Sequence, residues 1–185
     1  MRRLLRLAPC LAFVLAGTAR AGVVTVPYDF LPRTCPNYFR PPHETAVGDT
    51  VPTAILGTAD LDVRILRQSS LVLIVPGGGG LLGESTTLKP IGFFFKDVAR
   101  PVDDPTNCKC TGEGADGYED LVALFDAEDL GKALKDAHDG DRIPVCMEGA
   151  FEDETKLQGC DCIFVQLGPL AVDSDTWGRV KATYR

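Results

Sequence analysis

The chain has 185 residues, 26 acidic and 19 basic side chains, and a formal net charge of −7. That balance argues against nucleic acid and anionic membranes as partners and suits cations. The length is enough for one domain with a real core.

Arg2, Arg3 and Arg6 precede an apolar run, Leu7 to Ala16, and then Ala19-Arg20-Ala21. A basic start, a short apolar run and an A-x-A site form the pattern of a secretory signal peptide, too short to span a bilayer. The expected organisation is therefore a leader at 1–21 and one secreted or periplasmic domain at 22–185. Removing the leader takes four arginines and shifts the charge from −7 to −11. It also takes Cys10, leaving Cys35, Cys108, Cys110, Cys146, Cys160 and Cys162. An even number of cysteines in an oxidising compartment favours disulfides.

Beyond residue 22, short runs of β-branched and aromatic residues alternate with Gly, Pro and Asp. This predicts strands over Val23–Tyr28, Val51–Leu56, Leu61–Leu66, Leu71–Val75, Ile91–Phe95, Leu121–Phe125, Ile143–Met147 and Cys160–Leu167. Prolines 32, 36, 41 and 42 predict a mostly extended loop between Pro27 and Pro52. Asp126 to Asp136 predicts the one helix, with an aspartate cap, early acids and later lysines. Glu152-Asp153-Glu154-Thr155 predicts a hairpin turn. The tail 174–185 holds the only tryptophan, Trp177. The expected fold is mainly β: a single antiparallel β-sandwich of the Ig-like kind with one short helix.

Gly78 to Ser85 follows an apolar strand and fits the phosphate-loop spacing except at Glu84. Lysine is needed there, and glutamate would repel the phosphates, so the glycines read as a surface loop. Leu81 and Leu82 at its tip hint at a contact surface. Beyond the leader there are two histidines, His43 and His138, and no G-x-S-x-G elbow, which leaves nucleophilic catalysis little support. A pair of C-x-C motifs does not match the C-x-x-C zinc ribbon.

The stretch Cys108-Lys-Cys-Thr-Gly-Glu-Gly-Ala-Asp-Gly-Tyr-Glu-Asp-Leu121 places acids beside two cysteines. Asp116, Gly117 and Asp120 fit positions 5, 6 and 9 of an EF-hand loop, while Gly112, Gly114 and Ala123 fail at 1, 3 and 12. Glu113, Asp103, Asp104 and Asp126 are candidates to complete an oxygen shell, so Glu113, Asp116, Asp120 and Asp103 form a candidate calcium set. Calcium is the only cofactor the sequence suggests, and the competing reading is a solvated acidic turn. The two cysteines of a C-x-C on a strand share a face, so each must look elsewhere for its partner. Cys108 and Cys110 are natural partners for Cys160 and Cys162, and Cys146 can also reach Cys160 or Cys162. Fifteen pairings remain open.

Several segments together resemble a β-sandwich module of secreted bacterial proteins: TCPN (34–37), VPTAILGTADLDV (51–63), KDVARPV (96–102), the stretch 108–126, DGD (139–141) and MEGAFEDETKLQGCDCIFV (147–165). The resemblance lies in their order and spans roughly 34–166. It implies an extracellular module, alone or beside calcium-binding repeats, with no assigned catalytic activity. The chain departs from it at Glu154, where the module commonly has glycine, and in the insert Pro76–Gly83. Together these readings predict a secreted, disulfide-braced, non-catalytic domain. It is expected to be a monomer without a membrane span and to partner an extracellular protein or glycan. The alternative class is a metal-assisted hydrolase using the acidic loop with His138.

Overall fold

In the computed structural model the described residues are 22–41, 49–77, 84–102 and 108–167. The expected leader 1–21, His43, the glycine run 78–83, Asp103, Asp104 and Trp177 lie outside them. Among the described residues ten strands form two sheets. They are β1 (Val24–Thr25), β2 (Tyr28–Phe30), β3 (Tyr38–Phe39), β4 (Thr50–Ile55), β5 (Val72–Val75), β6 (Thr86–Leu88), β7 (Gly92–Lys96), β8 (Asp120–Asp126), β9 (Arg142–Ala150) and β10 (Lys156–Val165). One sheet has the order β1-β10-β9-β5-β6, with β3 also on β10; the other is β2-β4-β8-β7.

The alternation in the strands explains the layering. In β8, Leu121, Ala123 and Phe125 enter the core, with Phe30 and Ile55 from the same sheet. Leu73, Met147, Leu157 and Ile163 come from the other sheet, and all eight of these large side chains are essentially inaccessible to solvent. Full burial of each such side chain contributes roughly 1.5–3 kcal/mol, so this layer dominates cohesion. The alternate residue Val122 joins Ala54, Leu56 and Ala99 in a small second cluster, where Val98 and Leu124 pack. The segment after β7 thereby straps the outside of the second sheet.

Among the described residues the mainly β, two-sheet reading holds, with one α-helix. Parallel pairing is the first difference: β1 and β3 both run parallel to β10, so the first sheet is mixed rather than purely antiparallel. The strand expected over Val23–Tyr28 divides at Pro27, which has no N–H to donate and whose carbonyl accepts from Leu56 N. There the chain crosses from one sheet to the other. The segment Leu61–Leu66 is not a strand. Asp62 accepts a hydrogen bond from Arg64 N and caps a single 3-10 turn at Val63–Ile65, so local capping overrides the alternation.

The helix α1 (Ala127–Ala133) starts where the sequence places its cap. Asp126 accepts from Glu128 N at 2.9 Å and Asp129 N at 3.0 Å. Asp126→Ala is expected to cost about 1 kcal/mol, read from chemical unfolding, with an unchanged fold. The β9–β10 hairpin turns at Phe151–Thr155, where Glu154 sits at φ 71°, the left-handed region that favours glycine. Glu154 holds that position while pairing with Arg67 at 2.6 Å.

Candidate functional site

The acidic loop is shaped by carboxylates that bind backbone rather than solvent. Asp120, the first residue of β8, is 0% exposed. Its Oδ1 accepts from Gly57 N at 2.9 Å, and its Oδ2 accepts from Val98 N at 2.7 Å and Ala99 N at 3.2 Å. One carboxylate thus ties together the end of β4, the strap after β7 and the start of β8. Burial raises its pKa, and the three amide donors oppose that rise. Gly57 is required here because a Cβ would collide with the backbone carbonyl of Glu119.

Asp97, which sequence reasoning passed over, holds the turn itself. It accepts from Asp116 N at 3.0 Å and Gly117 N at 2.7 Å. Gly117 has φ 98°, so the turn requires glycine's left-handed freedom. Asp116 in turn accepts from Tyr118 N at 3.1 Å, a local Asx turn. Glu113 pairs with Arg100 at 2.9 Å on the surface, where such a pair contributes little.

The three described members of the candidate calcium set each have another engagement. Asp120 points into the protein with both oxygens engaged, Asp116 stabilises its own turn, Glu113 faces Arg100, and Asp103 is outside the described residues. Among the described residues no group of three His, Cys, Asp or Glu side chains is placed to hold a metal ion. The His138 side chain is 87% exposed, and its nearest acid is Asp141, three residues on, at 3.5 Å.

Three disulfides fix the loop and its neighbours: Cys35–Cys110, Cys108–Cys162 and Cys146–Cys160. Cys146 and Cys160 are directly opposed in the β9–β10 register. Cys160 and Cys162 do find different partners, as two residues on one strand face must. Asp161 between them points the other way and is 8% exposed.

Asp161 makes a second buried clasp, which the sequence reading missed. Its Oδ2 accepts from Phe30 N at 2.9 Å and Asn37 Nδ2 at 2.7 Å, and its Oδ1 from Cys162 N at 2.7 Å. It links β10 to β2 and to the Cys-Pro-Asn turn, whose Cys35 is bonded to the acidic loop. Asp29 lies alongside at 5% exposure. Burial first, and the Asp161 charge second, push the Asp29 carboxyl up to about 7. Burial raises Asp161 as well. Among the described residues Asp29 Oδ2 and Asn37 Oδ1 are buried without a hydrogen-bond partner, beside the buried hydroxyls of Tyr28 and Thr53. Two signals existed: an acid amid apolar residues in Tyr28-Asp-Phe30, and an acid at an inward strand position in Cys160-Asp-Cys162.

No family model and no curated protein matches this chain. Among the described residues no helix is long and apolar enough to cross a membrane.

Proposed function

We propose that this chain is an exported, non-catalytic β-sandwich module that works by binding or bracing outside the cytoplasm. One observation carries the reading: Asp116 and Asp120, the two described aspartates of the candidate calcium set, hold backbone amides, as does Asp97 beside them. Asp97 and Asp120 together accept five amide hydrogens. Carboxylates so engaged are structural parts of a turn, and a hydrolytic site needs acids and a base converging on one cleft. Three disulfides fit an oxidising compartment, as does the signal-like N-terminus. The resemblance to secreted bacterial modules supports the same assignment.

This reading gives calcium no part in holding the fold. Thermal melts in millimolar calcium and in excess chelator are expected to coincide to within about a degree. Calcium bound at ten times its dissociation constant would stabilise the fold by roughly 1.4 kcal/mol and shift the midpoint by several degrees. A shift of that size, abolished by Asp116→Asn, would return the loop to a metal-binding role.

A further inference from the structure

We propose that the groove beside the edge strand β1 binds an extended peptide segment of an exported partner, carrying a lysine or arginine next to apolar residues. The proposal rests on the binding-module reading and names the partner's chemistry. The groove has a volume of about 700 Å³ and lies between β1, the turn after β4 and the β9–β10 turn. Its floor is apolar, with Val24, Val26, Leu61, Ile65 and Phe151. Val24 and Ile65 remain 42% and 47% exposed, so apolar surface is left uncovered.

The rim is acidic. Asp60, Glu152 and Asp153 line it, and no lysine, arginine or histidine does. The Asp60 carboxylate has no hydrogen-bond or ion-pair partner among the described residues. Arg67, which feels the Glu152 charge, is already held by Glu154. Arg67, outside the lining, donates to the Glu152 carbonyl at 3.0 Å and offsets part of the Glu152 charge. An apolar floor under an acidic rim that no base lines is still complementary to a cation on an apolar body.

The position argues for an extended chain. Among the described residues β1 is the outermost strand of its sheet and pairs on one side only, with β10. An edge strand offers backbone donors and acceptors at strand spacing, and a peptide laid along it points alternate side chains to one face. Val24, Thr25 and Val26 line the groove, so a peptide added beside β1 would run along it, near Asp60, Glu152 and Asp153.

The test is selection of a randomised heptapeptide display library on the disulfide-intact exported chain. Affinities of the selected peptides are then measured on the native chain, on Asp60→Asn with Glu152→Gln, and on Ile65→Lys. These three positions are in exposed or partly exposed turns, and matching thermal melts confirm that the variants fold. The expected result is enrichment of lysine or arginine flanked by apolar residues. Binding should weaken up to about tenfold in the charge-neutralised variant, weaken further at high salt, and be lost in Ile65→Lys. Enriched peptides that bind all three proteins equally would overturn the groove assignment while leaving the binding-module reading intact. Acidic or neutral consensus peptides, or no enrichment, would overturn the proposed chemistry. So would sedimentation showing that a second copy of the chain occupies the groove, with self-association lost in Ile65→Lys.

Discussion

Reducing all three disulfides is expected to unfold the protein at 37 °C. The loops closed by Cys35–Cys110, Cys108–Cys162 and Cys146–Cys160 have sequence separations of 75, 54 and 14. Chain-entropy arguments assign roughly 4–5, 4 and 3 kcal/mol to closures of those lengths. The values do not simply add, because the first two loops overlap in sequence. Even so, their scale matches the roughly 5–15 kcal/mol that holds a typical domain together. The effect should divide unequally. Cys108→Ser with Cys162→Ser frees the acidic loop from β10 and should cost more than Cys146→Ser with Cys160→Ser, whose strands stay paired through the hairpin. Denaturant titration of each double variant, beside the native and fully reduced chains, measures this. A reduced chain as stable as the oxidised one would mean that the core suffices and the bridges are ornamental.

The second large effect is a dependence on pH that runs opposite to the usual behaviour of a surface carboxylate. An unfolded aspartate loses its proton near pH 4. Folded Asp29 keeps its proton to about 7, because ionisation would put a second charge beside Asp161 in a buried site. Between those two values the native state binds more protons than the unfolded state, so stability falls as pH rises. Its share is fully present below about pH 4, is lost progressively as pH climbs through 7, and stays lost above that. From pH 5 to pH 8 the loss amounts to at most roughly 3 kcal/mol. The groups acting on Asp29 are Asp161 and Asp120, which raise it, and the Arg33 backbone N–H, which lowers it; Arg100 and Lys109 line the small cavity alongside. Asp29→Asn replaces the carboxyl with a group that stays neutral. The variant should lose most of the slope and exceed the native chain in stability at pH 8. Equal slopes for the two proteins would show that Asp29 is ionised in the fold. Asp161 and Asp120 are raised by burial too, so a residual slope of the same sign is expected in the variant.

How much of this was legible depended on how local the cause was. β8 could be read from Leu121–Phe125 because its residues are bounded by acids and run apolar on both faces. The helix could be read from Asp126 because capping acts over three residues. β3 and β6, at two and three residues, fall below what alternation can signal. The segment Leu61–Leu66 misled because its apolar spacing fits a strand, while the deciding contact, Asp62 to Arg64 N, is a turn interaction within it. The acidic loop was legible as a feature but not as a function. Asp116 and Asp120 do fall at calcium-loop positions. What they bind instead is set by Gly57, 63 residues from Asp120, and by Asp97, 19 residues from Asp116. Contacts across such separations leave no periodic trace. The clasp of Asp161 with Phe30 and Asn37 is longer still, at separations of 131 and 124. The disulfides fell between these cases. The shared face of Cys160 and Cys162 implied that they take different partners, whereas the Cys35–Cys110 bond depends on the fold of the Cys-Pro-Asn turn.

The most direct test is to map the disulfides of residues 22–185 by non-reducing proteolysis and mass spectrometry. The central claim is that the acidic stretch is a turn bound from both sides into a β-sandwich. It predicts three linked peptide pairs, Cys35–Cys110, Cys108–Cys162 and Cys146–Cys160, and no alkylatable thiol. Recovery of Cys108 and Cys110 as free thiols, or of both bonded elsewhere, would contradict it.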